Sequence, residues 1–197
     1  MTKVDIVHEG TPVRVKIETG DVLVVCNGQW PLARSIKVVT YGRDRRMVAH
    51  RAHHTGMMLV TPTTTLVREM DIDVRLKRLG DMWTLWDGAK YNSGNPPDRV
   101  LVLMKPVTPY ENPEALEKDL MEFRSRYAVR RLFAHVLYRV TGIWGRKRGD
   151  GDVCSEMVAG FLNRHKGLFP EPYKVSPRDI METYPDLFDY YVLNEGK

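Results

Sequence analysis

The sequence predicts an α+β fold, a small antiparallel β-barrel or curved sheet packed against a late helical bundle, with strands first and helices after. Three observations predict it. Short β-branched runs bounded by turn residues fill the first half, as in Val22-Leu23-Val24-Val25-Cys26 before Asn27-Gly28. Apolar residues at helical spacing, such as Leu116, Leu120 and Phe123, dominate the second half. No strand–helix alternation of the kind that builds a parallel sheet runs through the chain.

The length of 197 residues fits a single domain over 1–197. Hydrophobic residues make up 43% and charged residues 28%, the balance of an ordinary globular chain with a real core. No run of about 18 apolar residues occurs, so no transmembrane helix is expected. Charges at Lys3 and Asp5 come too early for a secretory signal, so synthesis in a cytoplasm is expected. The net charge of +5 favours anionic partners, among them nucleic acid, a cell-wall polymer or an acidic protein surface. The basic clusters at Arg43–Arg46, Arg130-Arg131 and Arg146–Arg148 lack the interleaved aromatics of a single-strand platform, so nucleic acid is the weakest of these.

In order along the chain, Val13 to Ile17 alternates apolar and basic residues and reads as an edge strand. Glu18-Thr19-Gly20-Asp21 is a turn, and Val22 to Cys26 a buried strand. Ile36–Tyr41, Met47–His50, Gly56–Val60, Asp71–Leu76 and Val100–Met104 read as further strands. Around 77–98 the glycines, prolines and Trp83, Trp86 and Tyr91 indicate a loop insertion with aromatic anchors. Asn112-Pro113-Glu114 starts a helix that carries Leu116 to Tyr127, and Leu132 to Val140 continues it or forms a second. Asp152 is placed to cap a helix running to about Arg164, with Gly167 as its stop. Ser176-Pro177-Arg178-Asp179 caps a last short helix before a tail.

The sharpest local feature is Gly149-Asp150-Gly151-Asp152-Val153-Cys154-Ser155-Glu156-Met157. It puts Cys154 in the first turn of a helix, where unpaired N–H groups and the macrodipole favour a thiolate. The alternative is a small buried hydrophobe on an apolar helix face. Cys26 ends an apolar strand and reads as an inert core residue. The two cysteines show no CxxC or Cys/His ligand spacing, so neither a zinc site nor any other cofactor is expected.

These segments resemble, in their order, the circularly permuted papain-like NlpC/P60 superfamily, including YiiX-like and lecithin retinol acyltransferase-like proteins. Cys154-Ser155-Glu156-Met157-Val158 resembles the nucleophile segment. Thr19-Gly20-Asp21-Val22-Leu23-Val24 resembles the opening Gly-Asp strand, and Val38–Gly42 with Met47–His50 the paired central strands. Gly56–Pro62, Arg99–Met104 and Val175–Asp179 also fall in order. The resemblance covers most of the chain except the insertion, and it implies acyl transfer through a thioester.

By the same resemblance the catalytic residues are Cys154 as nucleophile and His50 on the second central strand. The substrates implied are peptidoglycan peptides or lipid-like acyl groups. The family's general-base histidine begins a strand before a glycine turn, and Arg34-Ser35-Ile36-Lys37-Val38 holds none. Three alternatives stay open: His50 serves alone, His53 or His54 reaches in from a turn, or the site is silent. A hydrolase implies delivery to the wall by lysis or by a virion. A silent member implies protein partners in a larger assembly such as a phage tail.

Overall fold

A computed structural model describes residues 3–8, 11–26, 52–70, 74–78, 100–125, 141, 153–183 and 185–193. Eight strands are seen among them: β1 (Lys3–His8), β2 (Thr11–Lys16), β3 (Val22–Cys26), β4 (Ala52–Val60), β5 (Thr65–Met70), β6 (Val74–Arg78), β7 (Val100–Pro106) and β8 (Phe188–Val192). The helices are α1 (Pro113–Glu122), α2 (Cys154–Lys166) and α3 (Pro177–Met181), with a 3₁₀ turn at Pro172–Lys174 before α3. The expected strands at 36–41 and 47–50, the helix at 132–140, most of the 77–98 insertion and the basic clusters lie outside the described residues.

Six strands form one antiparallel sheet in the order β6-β5-β4-β3-β7-β8, and β1 and β2 pair separately as a hairpin. The α+β class is therefore observed. The sheet is open among the described residues, with β6 and β8 at its edges. The stretch predicted as an edge strand is β2, which pairs on one side only among the described residues, with β1 of the hairpin.

The continuous apolar run of β3 is explained by its cover on both faces. Val22, Val24 and Cys26 pack with Met57, Leu59, Val102 and Met104 against Met157, Val158, Phe161 and Leu162 of α2. Leu23 and Val25 pack on the other side with Val15, Ile17, Met58 and Leu103. The expected tail is in fact β8, paired with β7 from Val102↔Val192 to Pro106↔Phe188. The sequence hides it because Asp189, Tyr190 and Tyr191 interrupt the apolar pattern between the buried Phe188 and Val192.

Local chemistry fixes the element ends. Gly20 turns at φ +95 into β3, where a Cβ would lie 2.2 Å from the Tyr110 ring, so only glycine fits beneath that side chain. The Asn112 side chain accepts the Ala115 N–H at 2.9 Å and starts α1, as expected. That helix ends at Glu122, because Phe123 takes an extended conformation at φ −56, ψ 128. The run predicted to reach Tyr127 is thus broken, and Tyr127 itself lies outside the described residues. Ser176 and Asp179 form the reciprocal cap of α3.

Candidate active site

Helix α2 starts on Cys154, and the position before it, Val153, is extended at φ −106, ψ 165. The capping role expected of Asp152 falls instead on an apolar residue with no side-chain acceptor. Glu156 compensates: its carboxylate reaches back one turn and accepts the Val153 N–H at 3.1 Å. Asp152 itself lies outside the described residues. The buried Ser155 hydroxyl donates to the Val175 carbonyl at 2.7 Å and ties the helix start to the segment before α3. Met157, Val158, Phe161 and Leu162 bury the inner face, and Gly167 closes the helix in the left-handed region at φ 68.

Strand β4 begins four residues before the predicted Gly56 start and carries His53 and His54. A register shift breaks its pairing with β3, where Val25 faces His54 and Cys26 faces Ala52. The extra residue there is His53, a bulge of the kind that re-aims neighbouring side chains. The His54 Nε2 lies 3.0 Å from Glu69 Oε2 of β5, and the Glu69 side chain is fully buried. The carboxylate can hold only a protonated Nε2, so Nδ1 is the ring nitrogen left for the sulfur of Cys154, with which His54 shares a hydrogen bond.

Gly56 makes room for this arrangement. It pairs across the ladder with Glu69, and a Cβ on it would lie 2.7 Å from Val67 Cγ1 and 3.0 Å from the Arg68 carbonyl oxygen. The neighbouring Arg68, itself buried, donates through Nε to the Leu120 carbonyl at 2.7 Å and through Nη2 to the Met121 carbonyl at 2.8 Å. It thereby satisfies orphan carbonyls at the end of α1 and fastens β5 to that helix.

Burial disfavours charge on both members of the Cys154–His54 pair, and each overcomes it through the other. Burial pushes the His54 imidazole down, but the Cys154 sulfur and then Glu69 hold it protonated up to about 10. Burial pushes the Cys154 thiol up, but His54, and after it the Thr55 N–H and hydroxyl, bring it below the ordinary thiol value. Both shifts favour the charged form of the pair, thiolate and imidazolium, with the Glu69 carboxylate on the far side of the ring.

The structure thus brings Cys154 to a histidine on the β-rich half, and the histidine is His54, from a strand and not from a turn. His50 lies outside the described residues. Sequence reasoning misses Glu69. Its one signal is an acid inside the β-type run from Thr65 to Met70, where an exposed edge is the simpler explanation. Cys26 is buried in the core, as expected. His165 lies far from the site and bonds Asp119 Oδ2 through Nε2 at 3.0 Å. Among the described residues no group of His, Cys, Asp and Glu is arranged to hold a metal ion.

The fold resembles that of YiiX. The crystal structure of metalloprotein YiiX from Escherichia coli O157:H7 is similar to this chain with a TM-score of 0.51 over 90% of this chain and 89% of that one. The two sequences are 15% identical, a likeness of fold alone. No protein-family model matches the sequence, and no curated protein does. No helix among the described residues is long and apolar enough to cross a membrane.

Proposed function

We propose that this chain is a cysteine amide or ester hydrolase of the permuted papain-like NlpC/P60 type, with Cys154 as nucleophile, His54 as acid and base, and Glu69 orienting His54. One observation carries the reading: a buried thiol at the head of a helix meets an imidazole whose other nitrogen is fixed by a buried carboxylate. That is the constellation nucleophilic acyl transfer requires, a nucleophile, a base and a group that orients the base.

In the reaction, the Cys154 thiolate attacks the substrate carbonyl carbon, and negative charge moves to the carbonyl oxygen. Backbone N–H groups at the start of α2 favour that charge. The His54 imidazolium gives its Nδ1 proton to the leaving amine or alcohol, and a thioester remains on Cys154. The neutral imidazole then takes a proton from water, which attacks the thioester. The C–S bond breaks and the thiolate–imidazolium pair is restored.

In this reading the base is His54, and His50 is not required. YiiX is described as a metalloprotein. In this chain both His54 nitrogens are engaged, and no metal-binding cluster occurs among the described residues, so the reaction is derived from the side chains alone.

The net charge of +5 suits an anionic cell-wall polymer, so peptidoglycan peptides are the substrate class proposed, reached by lysis or from a virion. A silent structural role, as in a phage tail, would suit the basic charge and a site without its base, and the nearness of His54 to Cys154 favours the hydrolase over it.

The test is alkylation by iodoacetamide together with hydrolysis of wall peptides and simple esters. Cys154 is expected to label at pH 6 at least about tenfold faster than free cysteine, through its raised thiolate fraction. Hydrolysis should vanish in Cys154→Ala and in His54→Ala. Ordinary thiol titration, or cleavage that survives loss of Cys154, sinks the assignment.

A further inference from the structure

Thr55 is a residue that the triad does not use. It pairs with Val24 across the β3–β4 ladder, and strand alternation sets it with Met57 and Leu59 on the face that packs against α2. Its side chain is wholly buried. Among the described residues its hydroxyl makes no well-formed hydrogen bond, yet it lies against the Cys154 sulfur, as does the Thr55 N–H. A buried hydroxyl without a good acceptor is a cost that valine, of the same shape, would avoid. Valine is what the sequence places opposite, at Val24.

The neighbouring group whose acceptor strength changes during the reaction is the sulfur. A thiol accepts weakly, whereas a thiolate accepts a charge-assisted bond. We propose that Thr55 is a catalytic residue whose hydroxyl donates to the Cys154 sulfur whenever that sulfur is negative. This rests on reading Cys154 and His54 as nucleophile and base.

The proton balance is simple. The S–H bond breaks, an N–H bond forms on His54, and Thr55 keeps its own proton throughout. Attack on the carbonyl drains charge from the sulfur, and the hydroxyl relaxes. When the thioester is hydrolysed, the electron pair of the C–S bond returns to sulfur and the hydroxyl donates again. The donor therefore helps to form the thiolate and to release it as a leaving group, while restraining its attack. Thiolate nucleophilicity rises with basicity with a slope of only about 0.4–0.5. Populating the thiolate outweighs that restraint on the acid side, and the restraint wins once the thiolate is fully formed.

The decisive experiment is the pH profile of iodoacetamide alkylation in Thr55→Val, Thr55→Ser and Thr55→Ala. In Thr55→Val the apparent pKa of the acid limb should move up by about one unit, which cuts the thiolate fraction there about tenfold and, after the gain in nucleophilicity, the rate at fixed pH about threefold. The plateau above it should rise about threefold. With an ester substrate the acyl-enzyme should accumulate, since its leaving thiolate has lost a donor. Thr55→Ser should keep the wild-type limb. A merely structural hydroxyl would lower stability and leave the limb in place, and that result overturns the proposal. If Thr55→Val fails to fold, Ser and Ala both lack the methyl and differ only in the hydroxyl, so coincident limbs in those two overturn it equally. A moved limb in an enzyme without hydrolysis sinks the proposed reaction and leaves the role of Thr55 standing. A wild-type thiol that titrates like free cysteine removes both.

Discussion

Burial disfavours charge on Cys154 and on His54, and each favours the charged form of the other as its nearest compensation. Glu69 adds to this from the far side of the ring, so its charge matters as well as its shape. Glu69→Gln keeps the shape and removes the charge. The imidazolium then loses a stabilising partner, and the pH at which it gives up its proton falls from about 10. The window of the charged pair opens on the acid side, where Cys154 ionises, and closes where His54 deprotonates. The variant is expected to draw the alkaline limb of kcat/KM downward and to leave the acid limb less affected. The rate at the optimum should fall by about 10²- to 10⁴-fold, because the ring is no longer held in one tautomer. A pH–rate profile in buffers of constant ionic strength reads both. An alkaline limb that stays where it was would show that Glu69 does not act on His54.

At the scale of elements, the site depends on how closely β4 and β5 approach at Gly56. The atoms a Cβ would strike include the Arg68 carbonyl oxygen at 3.0 Å, which is backbone and cannot turn aside. Gly56→Ala must therefore push β5 outward. It should cost about 1–3 kcal/mol in denaturant unfolding, the usual range for overpacking, and lower activity further by carrying Glu69 away from His54. Unchanged stability and activity would mean that the strands are not in contact there. The same closeness explains what can be read in advance. The strands β3 and β7 and the helices α1, α2 and α3 are legible because their apolar spacing and caps are local signals. The first half of β4 and all of β5 are not, because His53, His54, Thr55, Arg68 and Glu69 put polar groups where a strand of the core would carry valine or leucine. Cys154 is legible from its helix start. Its partner is not, because the meeting is made by folding and the His54-Thr55-Gly56 stretch looks like a turn.

For the molecule as a whole, the last strand ties the end of the chain to the nucleophile. Phe188 and Val192 of β8 belong to the same buried cluster as Cys154, Met57 and Val24, although the strand lies at the sheet's edge. An edge strand that only shielded β7 would be dispensable, but one that supplies a fully buried phenylalanine to the central core is not. Phe188→Ala removes that ring and leaves a cavity, at an expected cost of about 3–5 kcal/mol. For a domain of this length that is a fall of about 10 °C in Tm. Leu187→Ala is the matched control, since Leu187 is 38% exposed and its loss should change Tm by no more than about 2 °C. The two variants are compared by thermal denaturation followed in circular dichroism, with alkylation of Cys154 measured below each transition. Because the cluster is shared, Phe188→Ala should also shift the labelling of Cys154 towards that of an ordinary thiol as Tm is approached. Equal Tm values for the two variants would place β8 outside the core that holds the nucleophile helix.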